Sequence, residues 1–312
     1  MNPENLLFVE KYRPKTISDC ILPDNLKKLF QNVIEKNEMQ NFIFHGGAGC
    51  GKTTVAKILC ETLGLDYLFI NASEFGNIDT LRTTVRSFAS TVSLSGGKKV
   101  VIFDEGDGLN QQSSQPALRA FYEEFSKNCC FIITCNYLNR IIEPIQSRSS
   151  IIDFKIPPKE KPAMASQMLK ATETILKNEK IEYDKKVLVE IITKYFPDFR
   201  RTLGEIQRYS ICGKIDVGIL ANHSSLNELI DNVKNKKFNF IRKWVATNPD
   251  VDQSDIFTRL EKEFSPKLEE TSVPKLILIL AEYQYKMAFS PDREICLTAC
   301  LTEMTLELAF KP

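Results

Sequence analysis

The residues Gly46-Gly47-Ala48-Gly49-Cys50-Gly51-Lys52-Thr53 meet the spacing G-x-x-x-x-G-K-[ST] at every position. The chemistry follows from these types in this order. Glycines let backbone N–H groups curl around an anion at a helix N-terminus. Lys52 can then set its ammonium on the outer phosphates of a nucleoside triphosphate, and the Thr53 hydroxyl can ligate Mg²⁺. Thr54 closes the candidate binding stretch. The plainer reading is a glycine turn. The flanks argue against it: Asn41-Phe42-Ile43-Phe44-His45 reads as a buried strand, and Thr54 to Gly64 as a helix with a glycine stop.

Four further stretches carry candidate groups. Val100-Val101-Ile102-Phe103-Asp104-Glu105 is an apolar strand ending in two carboxylates, at the edge where parallel sheets bind ligands. Asp104 is placed to hold Mg²⁺ through water, and Glu105 to orient or deprotonate an attacking water. Asn136 ends the strand Phe131-Ile132-Ile133-Thr134-Cys135. If that strand lies beside the P-loop strand, its amide faces the γ-phosphate; otherwise it is a turn residue. Arg148, in Ser147-Arg148-Ser149, and Arg200, in Phe199-Arg200-Arg201-Thr202, read alone as solvated or paired cations.

The elements that must position these groups alternate. Strands are predicted at 42–44, 67–70, 100–103, 131–134 and 151–154. Helices are predicted between them at 53–63, about 79–92, about 113–126 and 138–147. That order predicts a parallel sheet covered on both faces. Before it, Leu26, Leu29, Phe30, Val33 and Ile34 mark one face of a helix, and Pro14 predicts an extended or turning segment. After Pro157-Pro158, helices are predicted at 160–178, 184–195 and 199–212, with no strong strand. The closing stretches, Val273–Phe289 and Arg293–Phe310, are apolar on several faces and must be buried, in a domain core or between subunits.

Composition narrows the class. A hydrophobic content of 43% and a charged content of 26% suit a soluble protein with more than one domain over 312 residues. A formal net charge of +1 excludes a polycation, so any nucleic-acid contact needs a local patch. Nine cysteines without a C-x-x-C pair point to a reducing cytosol, and two histidines make a zinc site unexpected. No stretch is apolar enough for a signal region or a membrane span. For Cys50, backbone amides and Lys52 would lower the thiol pKa and make it reactive; the simpler reading, preferred, is a small residue that fits.

Taken together, Val9-Glu10-Lys11-Tyr12-Arg13-Pro14, the P-loop, Asp104-Glu105, Cys135-Asn136-Tyr137, Ile142 to Arg148 and Phe199-Arg200-Arg201-Thr202 recur in this order in sliding-clamp loader ATPases. The chain resembles the replication factor C small subunits. Phe196 to Glu205, with Gly213 to Leu220, is closer to the large subunit of T4-type bacteriophage loaders. The motifs cover about residues 8–220. Ser149 stands where many relatives have Cys, and Gly106 where they often have Ala or Phe; the glycine is expected to loosen the strand exit.

The resemblance implies an α/β AAA+ module with a five-stranded parallel sheet over 1–157, a helical lid over 158–224, and an all-helical collar for oligomerisation over 225–312. It implies an ATPase, with ATP and Mg²⁺, that loads a sliding clamp at primer-template DNA. Further copies and one divergent subunit would complete a spiral pentamer, without membrane, in the cytoplasm (the host's, if phage-encoded). Arg148 would be the arginine finger for the next subunit's nucleotide. Arg200 would be the lid arginine on its own, Asn136 the first sensor, and Tyr12-Arg13-Pro14 the neighbours of adenine. By position, Arg82 and Arg86, one turn apart on a helix, and Arg140 would touch DNA phosphates. Two alternatives share the P-loop. Another AAA+ motor, for branch migration or helicase loading, has nothing obvious that calls for the Glu10-Lys11-Tyr12-Arg13-Pro14 opening with Ser147-Arg148. A small-molecule kinase needs a phosphate acceptor site and leaves Glu105, Arg148 and the helical C-terminal third unexplained.

Overall fold

The computed structural model describes residues 7–73, 78–93, 97–210, 214–215, 229–247, 253–290 and 292–311. The chain divides into two compact units, Met1–Ile215 and Asp216–Pro312. The expected boundary at 224/225 lies outside the described residues, as does Cys212.

The first unit is built on five parallel strands: β1 Phe42–His45, β2 Tyr67–Asn71, β3 Lys99–Asp104, β4 Cys129–Cys135 and β5 Ser150–Asp153. Their order is β2-β3-β4-β1-β5. The central strands are buried nearly end to end, which is why they read as unbroken apolar runs. Side chains alternate between faces. Ile43, Val101, Phe103, Phe131 and Ile133 pack on one side, in a core that includes Val85 of α4 (Ile78–Ala89) and Leu118 and Phe121 of α5 (Ser114–Glu124). Phe42, Phe44, Val100, Ile102 and Ile132 pack on the other. That core holds Phe30 of α2 (Asp24–Lys36) and Val55 and Leu59 of α3 (Lys52–Thr62).

Register brings the strand ends level. His45 pairs with Cys135, so Asn136 emerges beside the first P-loop residue. Asn71 pairs with Asp104 and Phe103 with Ile133, so the acidic end of β3 sits between those of β2 and β4. The adjacency of β4 and β1 meets the condition on which the reading of Asn136 rested.

The helical part of this unit holds α7 (Lys161–Asn178), α8 (Lys185–Tyr195) and α9 (Phe199–Ser210). Asp184 caps α8, its carboxylate accepting from the Lys186 N–H at 2.8 Å. A two-residue parallel ladder, Glu182–Tyr183 with Lys214–Ile215, ties the ends of this segment together, where no strand was predicted. The four-residue helix α1 (Phe8–Lys11) was also unpredicted, being too short to show a period. The single helix expected over 138–147 is split into a 3-10 turn, Leu138–Arg140, and α6, Glu143–Gln146. Pro144 has no N–H to give a continuing helix and suits the first turn of a new one.

The second unit is helical, with Phe238–Thr247, Gln253–Phe264, Val273–Phe289 and Arg293–Glu307 around a core of Ile241, Leu260, Phe264, Leu276, Leu301 and Met304. Helix Val273–Phe289 buries Leu276, Ile279, Leu280, Tyr283 and Met287. It leaves Leu278, Tyr285 and Phe289 each at least 70% exposed, so burial within the unit accounts for only one of its apolar faces.

Gly106 does not loosen the end of β3. A Cβ there would lie 2.4 Å from Ile133 Cγ2, a methyl in the middle of the sheet core. The glycine is what lets the turn after β3 lie against β4. Gly106→Ala is expected to cost about 1–3 kcal/mol through overpacking. The shift in urea midpoint measures it, and an unchanged midpoint would mean the two strands are less tightly apposed.

Candidate nucleotide site

The P-loop joins β1 to α3 at the level edge of the sheet. Gly49 and Gly51 hold φ of 68° and 91°, backbone that a residue with a Cβ adopts only with strain. Gly51 is the N-cap of α3, so the first free N–H groups of that helix open toward the loop.

Lys52 is 7% exposed, and its ammonium is fully engaged. It donates to Gly46 O at 2.8 Å, Gly47 O at 2.7 Å and Asn136 Oδ1 at 3.0 Å. The Asn136 N–H in turn meets Asp107 Oδ2 at 3.3 Å. Lys52, Asn136 and Asp107 thus link the P-loop to β4 and to the turn after β3.

Beside them, Asp104 Oδ1 accepts the hydroxyls of Thr53 and Thr134, each at 2.5 Å. Thr134 Oγ1 also accepts the Glu105 N–H at 3.2 Å. Glu105 itself has φ 54°, a left-handed backbone that is uncommon for a non-glycine residue. The turn swings its carboxylate toward β2, where Ser73 Oγ lies 2.7 Å from Glu105 Oε2 and 2.8 Å from Asn71 Oδ1. One hydroxyl proton can serve only one of these two acceptors at a time.

A cavity of about 350 Å³ opens over these groups, of the size that takes a small ligand. Its polar floor is Ala48 to Thr54, Asp104, Glu105, Thr134 and Asn136. The apolar side is Val9, Pro14, Ile21, Leu22, Met168 and Leu203. Tyr12, Arg13 and Arg200 line it too, whereas Gly46 and Gly47 stand behind, holding Lys52. The Tyr12 hydroxyl donates to Glu179 at the end of α7, and Lys11 pairs with the same carboxylate at 2.6 Å. Those bonds hold Glu179 below the usual carboxylate range, while burial and Glu179 push the Tyr12 phenol up to about 12. The Arg13 guanidinium bonds Glu10 at 2.6 Å.

The other candidate residues lie apart from this cavity. Arg148 donates to Pro144 O and to Glu123 Oε1, both at 2.8 Å. Arg82 and Arg86 are exposed on α4, and Arg86 pairs with Glu124 at 2.9 Å. Arg140 is exposed and lies over the Tyr137 ring at 5.0 Å. Sequence reading missed Ser73, Asp107, Glu123 and Thr134, whose roles come from register and packing. It also missed Asp198, for which an N-cap signal ahead of α9 was available.

Residues 42–157 match the family model of ATPases associated with various cellular activities. Residues 160–221 match that of the AAA+ ATPase lid domain of the sliding-clamp-loader large subunit. The chain is 34% identical over 318 residues to the sliding-clamp-loader large subunit of Enterobacteria phage T4, covering 100% of this chain and 99% of that protein. The chain belongs to the sliding-clamp-loader family of AAA+ ATPases. It is also 35% identical over 326 residues to the replication factor C small subunit of Saccharolobus solfataricus, covering 97% and 95% of the two chains. A solved structure of a Thermotoga maritima RuvB mutant aligns with a TM-score of 0.53 at 16% identity, over 67% of this chain and 72% of that one. That likeness is one of fold alone and does not favour a branch-migration motor.

Family membership makes the chain a nucleotide-binding ATPase, and the cavity over the P-loop is where most of the candidate nucleotide-site residues converge. Among the described residues no helix is long and apolar enough to cross a membrane, and no His/Cys/Asp/Glu cluster suits a metal. The cysteines among them are unpaired and buried.

The activated-thiol reading of Cys50 does not hold. Its side chain is 6% exposed and its Sγ donates to Gly47 O at 2.9 Å. Burial pushes its pKa up, outweighing the Lys52 ammonium beside it. Cys50 is therefore expected to resist iodoacetamide at pH 7.5 in the folded chain, reacting about tenfold or more slowly than in the unfolded chain, since burial both disfavours the thiolate and blocks the reagent. Peptide mapping after timed alkylation measures it, and labelling as fast as in the unfolded chain would contradict the burial.

Proposed function

We propose that this chain is an ATPase subunit of a DNA polymerase sliding-clamp loader. ATP binding lets it hold a clamp open, and hydrolysis releases the clamp at a primer-template junction. The observation that carries this reading is a division among the cations. Lys52 and Arg200 line the cavity, whereas Arg148 stands outside it, 34% exposed in its side chain and paired with Glu123.

The chemistry needs charge neutralised and water aligned. Phosphoryl transfer spreads negative charge over the γ-oxygens, so catalysis is mostly positioning and electrostatics. Lys52 exchanges its carbonyl partners for phosphate oxygens. Asn136, already bonded to Lys52, aligns with the γ-phosphate, and Glu105 orients or deprotonates the attacking water. Thr53 and Asp104 bring hard oxygens within 2.5 Å of each other, a donor set that fits Mg²⁺ held by the Thr53 hydroxyl and, through water, by Asp104. The ion, when bound, would supply positive charge to neutralise the outer phosphates. Tyr12, Arg13 and Pro14 sit on the side of the cavity suited to the base, with Tyr12 fastened to the lid through Glu179.

Arg148 is assigned to the neighbouring subunit's nucleotide, so that hydrolysis waits for subunits to close. The division into module (1–157), lid (158–224) and collar (225–312) follows the same reading. The exposed apolar face of Val273–Phe289 then serves assembly with further copies and one divergent subunit into a pentamer. Arg82, Arg86 and Arg140 are exposed and are assigned to DNA phosphates, Arg86 leaving Glu124 to do so. The site of action is the cytoplasm, the host's in an infection.

Turnover is expected to be weak in the isolated chain and to rise when clamp and primed DNA are both added to the assembled loader. Arg148→Ala should keep ATP binding and lose about 10³-fold or more of the stimulated rate, the lower end for an arginine finger. Steady-state phosphate release with and without clamp and junction DNA measures both. Stimulation by DNA alone would favour a translocating motor, and a normal rate in the variant would remove Arg148 from the reaction.

A further inference from the structure

The N-terminus of α9 is fastened to the P-loop. The Phe199 N–H donates to Gly49 O at 3.1 Å. Asp198, immediately before it, caps the helix: its Oδ1 accepts the Arg201 N–H at 2.9 Å. Its carbonyl accepts the Thr202 N–H at 3.0 Å and the Thr202 hydroxyl at 2.7 Å. The same carboxylate presses on the loop. A Cβ on Gly49 would lie 1.8 Å from Asp198 Oδ1 and 2.5 Å from its Cγ. Gly49 therefore has two reasons to be glycine, its φ of 68° and the carboxylate seated on it.

Arg200 is the residue between these two attachments. Its neighbour Phe199 is bonded to the loop, and its other neighbour Arg201 is held by the Asp198 cap. Phe199, Arg200 and Leu203 all line the nucleotide cavity. A guanidinium on a long side chain is held over one point only if its backbone is held first.

We infer that Asp198 is a positioning residue for the ATPase, clasping the P-loop at Gly49 so that Arg200 is carried at the phosphate end of the cavity. Asp198 touches no reacting atom; it acts through Arg200. The inference rests on the reading of Arg200 as the lid arginine on the chain's own nucleotide. It adds a reciprocal consequence. The clasp joins the loop that senses phosphate to the helix that carries the cation, so filling the loop and placing Arg200 are one event.

The test uses the full chain and titrates fluorescent ATP and ADP analogues against Asp198→Ala, Asp198→Asn, Arg200→Ala and the double variant Asp198→Ala/Arg200→Ala. Arg200→Ala is expected to weaken ATP about tenfold and ADP less than twofold, since a cation aimed at the terminal phosphate favours ATP. Asp198→Ala should show the same selective loss. The double variant should be no weaker than Arg200→Ala alone, because two residues acting as one unit are not additive. Asp198→Asn, which keeps an acceptor for the Arg201 N–H, should restore most of the ATP affinity and keep the folding midpoint where Asp198→Ala lowers it. A loss that is equal for ATP and ADP, or multiplies with that of Arg200→Ala, would reduce Asp198 to a helix cap and overturn the inference. If Arg200→Ala binds ATP normally, the lid-arginine reading itself falls and the inference with it.

Discussion

The buried ammonium of Lys52 is the interaction on which the arrangement depends. A cation taken out of water must find partners for its protons. Here two are carbonyls of the P-loop, Gly46 O and Gly47 O, and the third is Asn136 on the neighbouring strand. The carbonyls can turn inward only because the loop backbone adopts glycine conformations. The third partner exists only if β4 lies next to β1 in a parallel register that carries Asn136 one residue past His45. One charged side chain thereby constrains loop composition, strand order and register together.

The acidic half of the site is governed by the same edge. Asp104 ends β3, with hydroxyls converging on it from α3 and from β4. Glu105 then leaves the strand through a left-handed backbone. Uncommon backbone of this kind costs of order 1–3 kcal/mol and persists only where its surroundings over-determine it. Here they do. Thr134 takes the Glu105 N–H, Gly106 lies against Ile133, and Ser73 meets the carboxylate. Adjacent acids on one strand end would otherwise point to opposite faces. The turn instead keeps both at the cavity, Asp104 facing the P-loop and Glu105 facing β2.

Much of this was legible in the chain. The P-loop, the acidic end of β3, the five strands and their parallel pairing all followed from motif spacing and apolar runs, because those features are local. The element ends moved by a residue or two, as with β5, expected at 151–154 and observed at Ser150–Asp153. The contacts that complete the site were not legible, since they join residues far apart in the chain. Ser73 meets Glu105 across 32 positions, and Asp198 meets Gly49 from the opposite end of the unit. Gly106 shows the limit of reading a type without its neighbours. In isolation glycine suggests looseness, but against Ile133 it is the condition for tight packing.

Lys52, Glu105 and Arg148, charged groups that the proposed reaction requires, are each held by an internal partner, and the partners differ in strength. Glu105 shares the Ser73 hydroxyl with Asn71. Arg148 and Glu123 form a pair that is 34% and 58% exposed in its side chains. Exposed pairs are worth about 0–1 kcal/mol, so an anion arriving beside this one can draw Arg148 away at little cost. Lys52 is different. It is almost wholly buried, so it cannot be left unpaired and moves only by direct exchange of carbonyl for phosphate oxygen. The two cations are thereby ranked. Lys52 answers only to a ligand that enters the loop, whereas Arg148 is free to answer to whatever surface arrives beside it. On the proposed reading, a site built this way registers first its own nucleotide and then its neighbour.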